Sequence, residues 1–230
     1  MANNNKRKVS KMRWTVTPAV AAAILLAATS ADAQDAMSDW SGLYTGVSAG
    51  IASINDDFLG YPGMHGPWEP WTGNSSNSLA GGLQTGFNYQ MESLVLGVEG
   101  QFVLTGINGT ALSSNGRPPF GYEANWLASL GPRIGYAAGN ALLYVKGGVG
   151  IADLAYTHST SAGDNTAYGF TLGGGAEYAF TPSLSGRIDY TYFGFSDDTT
   201  TLYEPNGTPR TMVNHDPDAH VMTVGLNYHF

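Results

Sequence analysis

From residue 42 onward the chain alternates apolar and polar side chains with period two, one segment after another. In 42–53, GLYTGVSAGIAS, Leu43, Thr45, Val47, Ala49 and Ile51 share one face and Tyr44, Gly46, Ser48 and Gly50 the other. Strands with one apolar face show this period because successive side chains point to opposite sides of a sheet. Residues 79–90 oppose Leu79, Leu83, Thr85, Phe87 and Tyr89 to Gln84, Gly86, Asn88 and Gln90. Residues 94–105 oppose Leu94, Leu96, Val98, Phe102 and Leu104 to Gly97, Glu99, Gln101 and Thr105. Residues 122–137 place Ala124, Trp126, Ala128, Leu130, Ile134 and Tyr136 opposite Asn125, Ser129, Gly131, Arg133 and Gly135. The pattern continues through 141–154, 168–180 and 184–195, and closes with HVMTVGLNYHF at 220–230, where Met222, Val224, Leu226, Tyr228 and Phe230 share a face. These segments predict eight strands.

Their connections alternate in length. Met91–Ser93, Ala138–Asn140 and Thr181–Ser183 read as tight turns, whereas 55–78, 106–121, 158–167 and 196–219 are longer and rich in Gly, Pro, Asn, Ser and Thr. An even number of antiparallel strands with short turns at one end and long loops at the other is the organisation of an outer-membrane barrel. Closure follows from the bilayer, since an open edge in hydrocarbon leaves backbone N–H and C=O groups without partners. The expected fold is therefore all-β: an eight-stranded antiparallel transmembrane up-and-down β-barrel with short periplasmic turns and long extracellular loops. A soluble eight-stranded barrel of lipocalin type also alternates. It is the weaker reading because the polar face here is built largely on glycine, which suits a narrow lumen better than a solvated strand.

Aromatic residues on the apolar face fall into two groups: Phe87, Tyr89, Tyr136, Tyr178, Phe180, Tyr228 and Phe230 near the turn end, and Phe102, Trp126, Tyr168, Phe170 and Tyr192 higher. They read as two interfacial girdles.

The first 33 residues break the pattern. Lys6, Arg7, Lys8, Lys11 and Arg13 precede an apolar run at 19–28, and Ala31-Asp32-Ala33 forms a small-x-small site before Gln34. These features predict a cleaved secretory signal peptide at 1–33, a short periplasmic leader at 34–40 and the barrel domain at 41–230. Cleavage leaves five basic and seventeen acidic residues, a formal charge of −12, which argues against nucleic acid as a partner. With no cysteine there is neither a disulfide framework nor a thiolate site.

The polar face gathers three acids and three bases: Glu99, Glu177 and Asp189, with Arg133, Lys146 and Arg187. Eight strands enclose an interior just wide enough for side chains to fill. That size favours a packed polar core over a narrow gated path, with mutual pairing offsetting the cost of burying charge. Outside the strands, acids predominate in the predicted loops and suggest a divalent cation, a basic partner or simply a hydrated surface. His158 with Ser159, or His215 and His220 near Asp216 and Asp218, have the residue types of a nucleophile and base, yet spacing specifies no catalytic site. No enzyme, cofactor or metal is expected.

Wider likeness covers most of the chain after 40. WSGLYTGVSAG at 40–50, GGLQTGFNYQ at 81–90, LGVEGQF at 96–102, PRIGYA at 132–137, LLYVKGGVG at 142–150, GGGAEYAFTPSLSGRIDYTYFGF at 173–195 and GLNYHF at 225–230 resemble the porin-family small outer-membrane proteins of rhizobia and their relatives, the outer membrane immunogenic or opacity-like surface antigens. The resemblance implies a structural barrel exposed at the surface of a Gram-negative cell, in contact with outer-membrane lipid and lipopolysaccharide. The alternating terminal segment with its final Phe resembles the signal read by the barrel assembly machinery, carried here by Met222, Val224, Leu226, Tyr228 and Phe230. Some family members are implicated in haem binding or contact with host surface molecules, which directs attention to His65, Trp68 and Trp71 in the first loop and to His158. A passive porin for small solutes and a loop-borne receptor or adhesin remain the alternatives.

Overall fold

A computed structural model describes residues 38–60, 69–71, 76–111, 120–158, 161–195, 198–203 and 209–230, with side chains described over 38–54, 76–108, 123–153, 166–195 and 218–230. Ten strands follow in chain order: β1 (Gly42–Gly60), β2 (Glu69–Trp71), β3 (Ser76–Met91), β4 (Leu94–Ala111), β5 (Phe120–Ala138), β6 (Ala141–His158), β7 (Ser161–Thr181), β8 (Leu184–Phe195), β9 (Asp198–Tyr203) and β10 (Pro209–His229). Eight of them, all but β2 and β9, form an antiparallel meander that closes into a barrel when β1 pairs with β10 from Tyr44↔His229 to Gly60↔Val213. The three turns at one end each span two residues, Glu92-Ser93, Gly139-Asn140 and Pro182-Ser183. Glu92 and Gly139 take positive φ of 52° and 57°, the conformation favoured in tight hairpins, whereas the Pro182-Ser183 turn follows a register shift between Ala179 and Thr181.

The alternation lies where the pattern places it over most of the wall. Leu43, Val47, Ile51, Leu83, Phe87, Val98, Leu130, Ile134, Val145, Val149, Phe170, Leu172, Val224 and Leu226 all point outward, and both sets of aromatics lie on that surface, with Trp126 and Tyr192 half-buried. Rings meet within the girdles: Phe102 stacks on Trp126 at 5.7 Å, and Tyr228 meets Phe230 edge-on at 5.1 Å.

Three sequence expectations are corrected. The strands run well past their predicted ends. β6 and β7 pair continuously up to His158↔Ser161, so the expected loop at 158–167 is almost wholly strand. Likewise β1 reaches Gly60 and β10 begins at Pro209, with the short β2 and β9 pairing alongside these extensions. The apolar alternation marks only the stretch facing lipid. Beyond it, backbone pairing continues without a sustained apolar alternation in the sequence, and the pattern is silent.

The second correction is local. A β-bulge separates Ala124 from Trp126, with Asn125 the additional residue opposite β6. It reverses the facing of the upper part of β5. Ala124, assigned by alternation to the lipid face, is fully buried, and Asn125, assigned to the lumen, is exposed and donates to Asp153 Oδ2 at 3.2 Å.

The third concerns the lumen, whose face was expected to be polar and glycine-rich throughout. Towards the long-loop end it is packed by Ile54, Val103, Ile107, Leu127, Phe193, Phe195 and Val221 with a set of alanines. Towards the turn end it is packed by Trp40, Val95, Ala137, Leu142, Tyr144 and Ala179. Runs such as LVL at 94–96 and ALL at 141–143 are apolar on both faces, so the inward member is masked by its outward neighbours.

Candidate functional site

Between the two apolar layers lies a belt of charge, and each member sits on an inward position of its strand. β4 supplies Glu99 and Gln101, β5 Arg133, β6 Tyr144 and Lys146, β7 Glu177, β8 Ser185, Arg187, Asp189 and Thr191, and β10 Asn227. All six charged residues singled out from the sequence meet in this belt.

Glu99 is its centre. Its Oε2 accepts from the Tyr44 hydroxyl at 2.7 Å, Arg187 Nη1 at 2.9 Å and Arg133 Nη1 at 3.2 Å. Its Oε1 accepts from Lys146 Nζ at 2.8 Å and Arg187 Nη2 at 3.2 Å. Towards the long-loop side, Asp189 takes Lys146 Nζ at 2.9 Å, Arg187 Nη2 at 2.8 Å and the Tyr144 hydroxyl at 2.7 Å. Towards the turn side, Glu177 takes Arg133 Nη2 at 2.7 Å, Asn227 Nδ2 at 2.6 Å and the Ser185 hydroxyl at 2.5 Å. His229 Nε2 stands 3.3 Å from the same carboxylate.

Three carboxylates against three cations make the belt formally neutral, and each acid touches at least one base. That matters because a charge in a low-dielectric interior is tolerated only when paired and hydrogen-bonded. Arg133 is further held between aromatic faces, its Cζ 3.8 Å from the Tyr144 ring centroid and 5.3 Å from that of Tyr44. Its side chain is 0% exposed, and Glu99, Glu177, Arg187 and Asp189 are nearly as inaccessible. The sequence reading missed Tyr44 and Tyr144, which donate into the belt and flank its arginine. Both lie on inward positions, but as aromatics they carry no charge signal.

The turn-side layer has a component from outside the strands. Trp40, in the segment before β1, is buried with its ring 5.5 Å from that of His229. Next to it Asp39 Oδ1 accepts the Ser41 N–H at 2.9 Å, and hydrogen bonds from Ser41 hold the Asp39 carboxyl below the usual aspartate range.

The C-terminal residues Val224, Leu226, Tyr228 and Phe230 lie exposed on the outer face, with Met222 half-buried among them. Of the residues considered for a loop ligand, His65 and Trp68 lie outside the described residues. Trp71 and His158 have only their backbone described, paired with Phe58 and with Phe120 and Ser161 respectively. His215 and Asp216 have no described side chains either. His220 lies on the outer face, its Nδ1 2.7 Å from the Tyr190 hydroxyl and its Nε2 3.5 Å from Asp218. Among the described residues no group of His, Asp and Glu is arranged to hold a metal ion.

A closed eight-stranded wall, apolar outside and packed inside, with short turns at one end, defines a bacterial outer-membrane β-barrel protein. The chain belongs to the outer membrane protein beta-barrel domain family, whose model matches residues 19–230. It is 30% identical over 135 residues to the 22 kDa outer membrane protein of Rhizobium leguminosarum bv. viciae, a match spanning 59% of this chain and 61% of that protein, less than two thirds of its length. It is 28% identical over 212 residues to the 31 kDa outer-membrane immunogenic protein of Brucella melitensis biotype 1, covering 83% of this chain and 84% of the relative. Among solved structures it resembles the outer membrane protein OprG from Pseudomonas aeruginosa, with a TM-score of 0.58 at 15% identity over 85% of this chain and 99% of that one, a likeness of fold. The protein therefore resides in the outer membrane of a Gram-negative cell, in contact with its lipid.

Proposed function

We propose that this protein is a structural, surface-exposed component of the outer membrane whose lumen is filled by its own side chains and does not conduct. One observation carries the reading: the charged belt across the lumen is almost wholly enclosed, with Arg133 fully buried between Glu99 and Glu177 and Lys146 the member left slightly exposed, at 9% of its side chain. A water-filled pore hydrates the charges that line it, whereas here protein groups replace that hydration. The apolar layers on both sides of the belt support the same reading, because an ion on either path would have to shed its water against alkyl and aromatic surface.

On this reading residues 1–33 are a signal peptide removed on export, 34–40 a periplasmic leader, and Phe230 with its alternating neighbours the signal for the assembly machinery. The test is planar-bilayer recording on the mature chain, with heat-dependent gel mobility as the check of folding. The expected result is an absence of discrete current steps. Reproducible steps whose size changes with Arg133→Ala would establish a passive pore instead and overturn the proposal.

A further inference from the structure

The segment before the first strand does more than lead into the barrel. Trp40 is 1% exposed and heads the fully buried side chains in size, although it belongs to no strand. Its indole lies among Val95 of β4, Ala137 of β5, Leu142 and Tyr144 of β6 and Ala179 of β7, with the His229 ring of β10 edge-on to it. Trp40 thus belongs to one packed apolar layer built from strands around much of the turn-end mouth.

Hydrogen bonds hold the segment in place from two sides. The Trp40 N–H donates to Gln90 Oε1 at 2.8 Å, and the Gln90 N–H donates back to Ser41 Oγ at 3.1 Å, tying the segment to the end of β3. Ser38 Oγ donates to Asn140 Oδ1 at 2.8 Å, tying it to the β5–β6 turn. The joint is Gly42, at φ 118°, a conformation that residues with a side chain rarely adopt. It redirects the chain from the wall of the barrel to its mouth.

Immediately behind the indole lie the innermost polar groups of that end, His229, Ser185, Asn227 and Glu177, joined to one another. Ser185 and Asn227 are fully buried although they occupy the strand ends nearest the turns, where open water would otherwise reach them. We infer that Ser38–Ser41 is a strap, hinged at Gly42, that seals the periplasmic mouth with Trp40 and keeps water from the charged belt. This extends the filled-lumen reading by assigning the seal at one end to a segment outside the barrel wall.

The absence of cysteine makes the inference testable by thiol accessibility. Ser185→Cys places a reporter behind the indole, and Ala137→Cys places a second within the indole's own layer without removing a side-chain hydrogen bond. Each is introduced into the mature chain, purified from outer membranes and treated with a charged methanethiosulfonate reagent. Both reporters are expected to react slowly in the parent. Losing a buried indole makes local opening on the order of tenfold or more frequent, so Trp40→Ala should accelerate both by at least that factor.

Gly42→Ala strains the hinge while retaining the indole, and Gln90→Ala cuts one tether; each should accelerate labelling, even if Trp40→Ala does not fold. Labelling of both reporters at the same rate in the parent and in every folded variant would overturn the strap. The readout is independent of ionic current. A conducting parent with strap-dependent labelling would refute the filled lumen alone, and a silent parent with strap-independent labelling would refute the strap alone.

Discussion

Arg133 Nη2 bonds Glu177 Oε2 at 2.7 Å with neither side chain exposed, joining β5 to β7 across the lumen. Deleting one member of such a pair strands its partner's charge in the interior, which costs about 3–5 kcal/mol, whereas replacing a pair by well-packed neutral groups is often close to neutral. Arg133→Ala is therefore expected to lower the urea midpoint of the refolded barrel substantially. Arg133→Met combined with Glu177→Gln should recover most of the loss. Equal destabilisation by the single and the double change would show that the pair is not the unit that matters.

The long-loop apolar layer is expected to contribute stability without acting alone as the barrier to ions. Phe193 is fully buried and stacks on Phe195 at 6.1 Å. Phe193→Ala leaves a cavity and should cost about 3–5 kcal/mol in unfolding measurements. Because the charged belt beneath it is intact, the variant should remain silent in planar bilayers.

Facing decides how a charge is received. Val145 is 62% exposed on the outer surface, between the inward Tyr144 and Lys146. Arginine on the lipid face near the bilayer midplane costs about 2–4 kcal/mol and less towards the interfaces. Val145→Arg is therefore expected to destabilise the barrel measurably in lipid vesicles, while Val145→Leu should leave it unchanged.

The β1–β10 seam tolerates no added side chain at Gly50. A Cβ there would press on the Met222 carbonyl and lie 2.7 Å from the Thr223 Cα, both parts of the backbone. Overpacking of this kind typically costs about 1–3 kcal/mol. Gly50→Ala should lower the unfolding midpoint, whereas Gly81→Ala, where a Cβ meets nothing within 4 Å, should not.

Phe230 is 72% exposed, and its main-chain tie is one N–H bond to the Leu43 carbonyl at 3.0 Å. Phe230→Ala retains that bond. It is expected to refold in detergent with a nearly unchanged midpoint while accumulating to a lower level in the outer membrane of cells, as measured by fractionation. An equal fall in both measurements would assign Phe230 to stability rather than to assembly.

Strand number, turn positions and the lipid-facing surface were legible in the chain because each is a local property. Val47, Phe87, Val145 and Leu226 face lipid for a reason that acts along a few residues at a time, and period two reports it directly. The same logic explains where the reading failed. At Asn125 a single bulged residue shifts the phase, and the sequence Ala124-Asn125-Trp126 still reads as unbroken alternation. Past the predicted ends at residues 53 and 154 the sequence no longer sustains the alternation, so the continued backbone pairing of β1 and β6 left no pattern.

The charged belt was legible only in part. The six ionisable residues stand out because charge is rare in these strands, and their inward facing follows from period two. Which of them meet was decided by closure of the barrel. Glu99 and Arg187 are 88 residues apart in the chain, and Gln84 and Asn227, which share a 2.8 Å bond, are 143 apart. By itself the sequence determined a lipid-facing barrel with charge inside, because contact with hydrocarbon constrains every second residue of each strand. Only the tertiary structure decided which charges meet which, that apolar layers enclose them and that Trp40 folds back over the mouth. Those outcomes depend on the curvature and register that bring distant strands around one narrow interior, and no local periodicity encodes them.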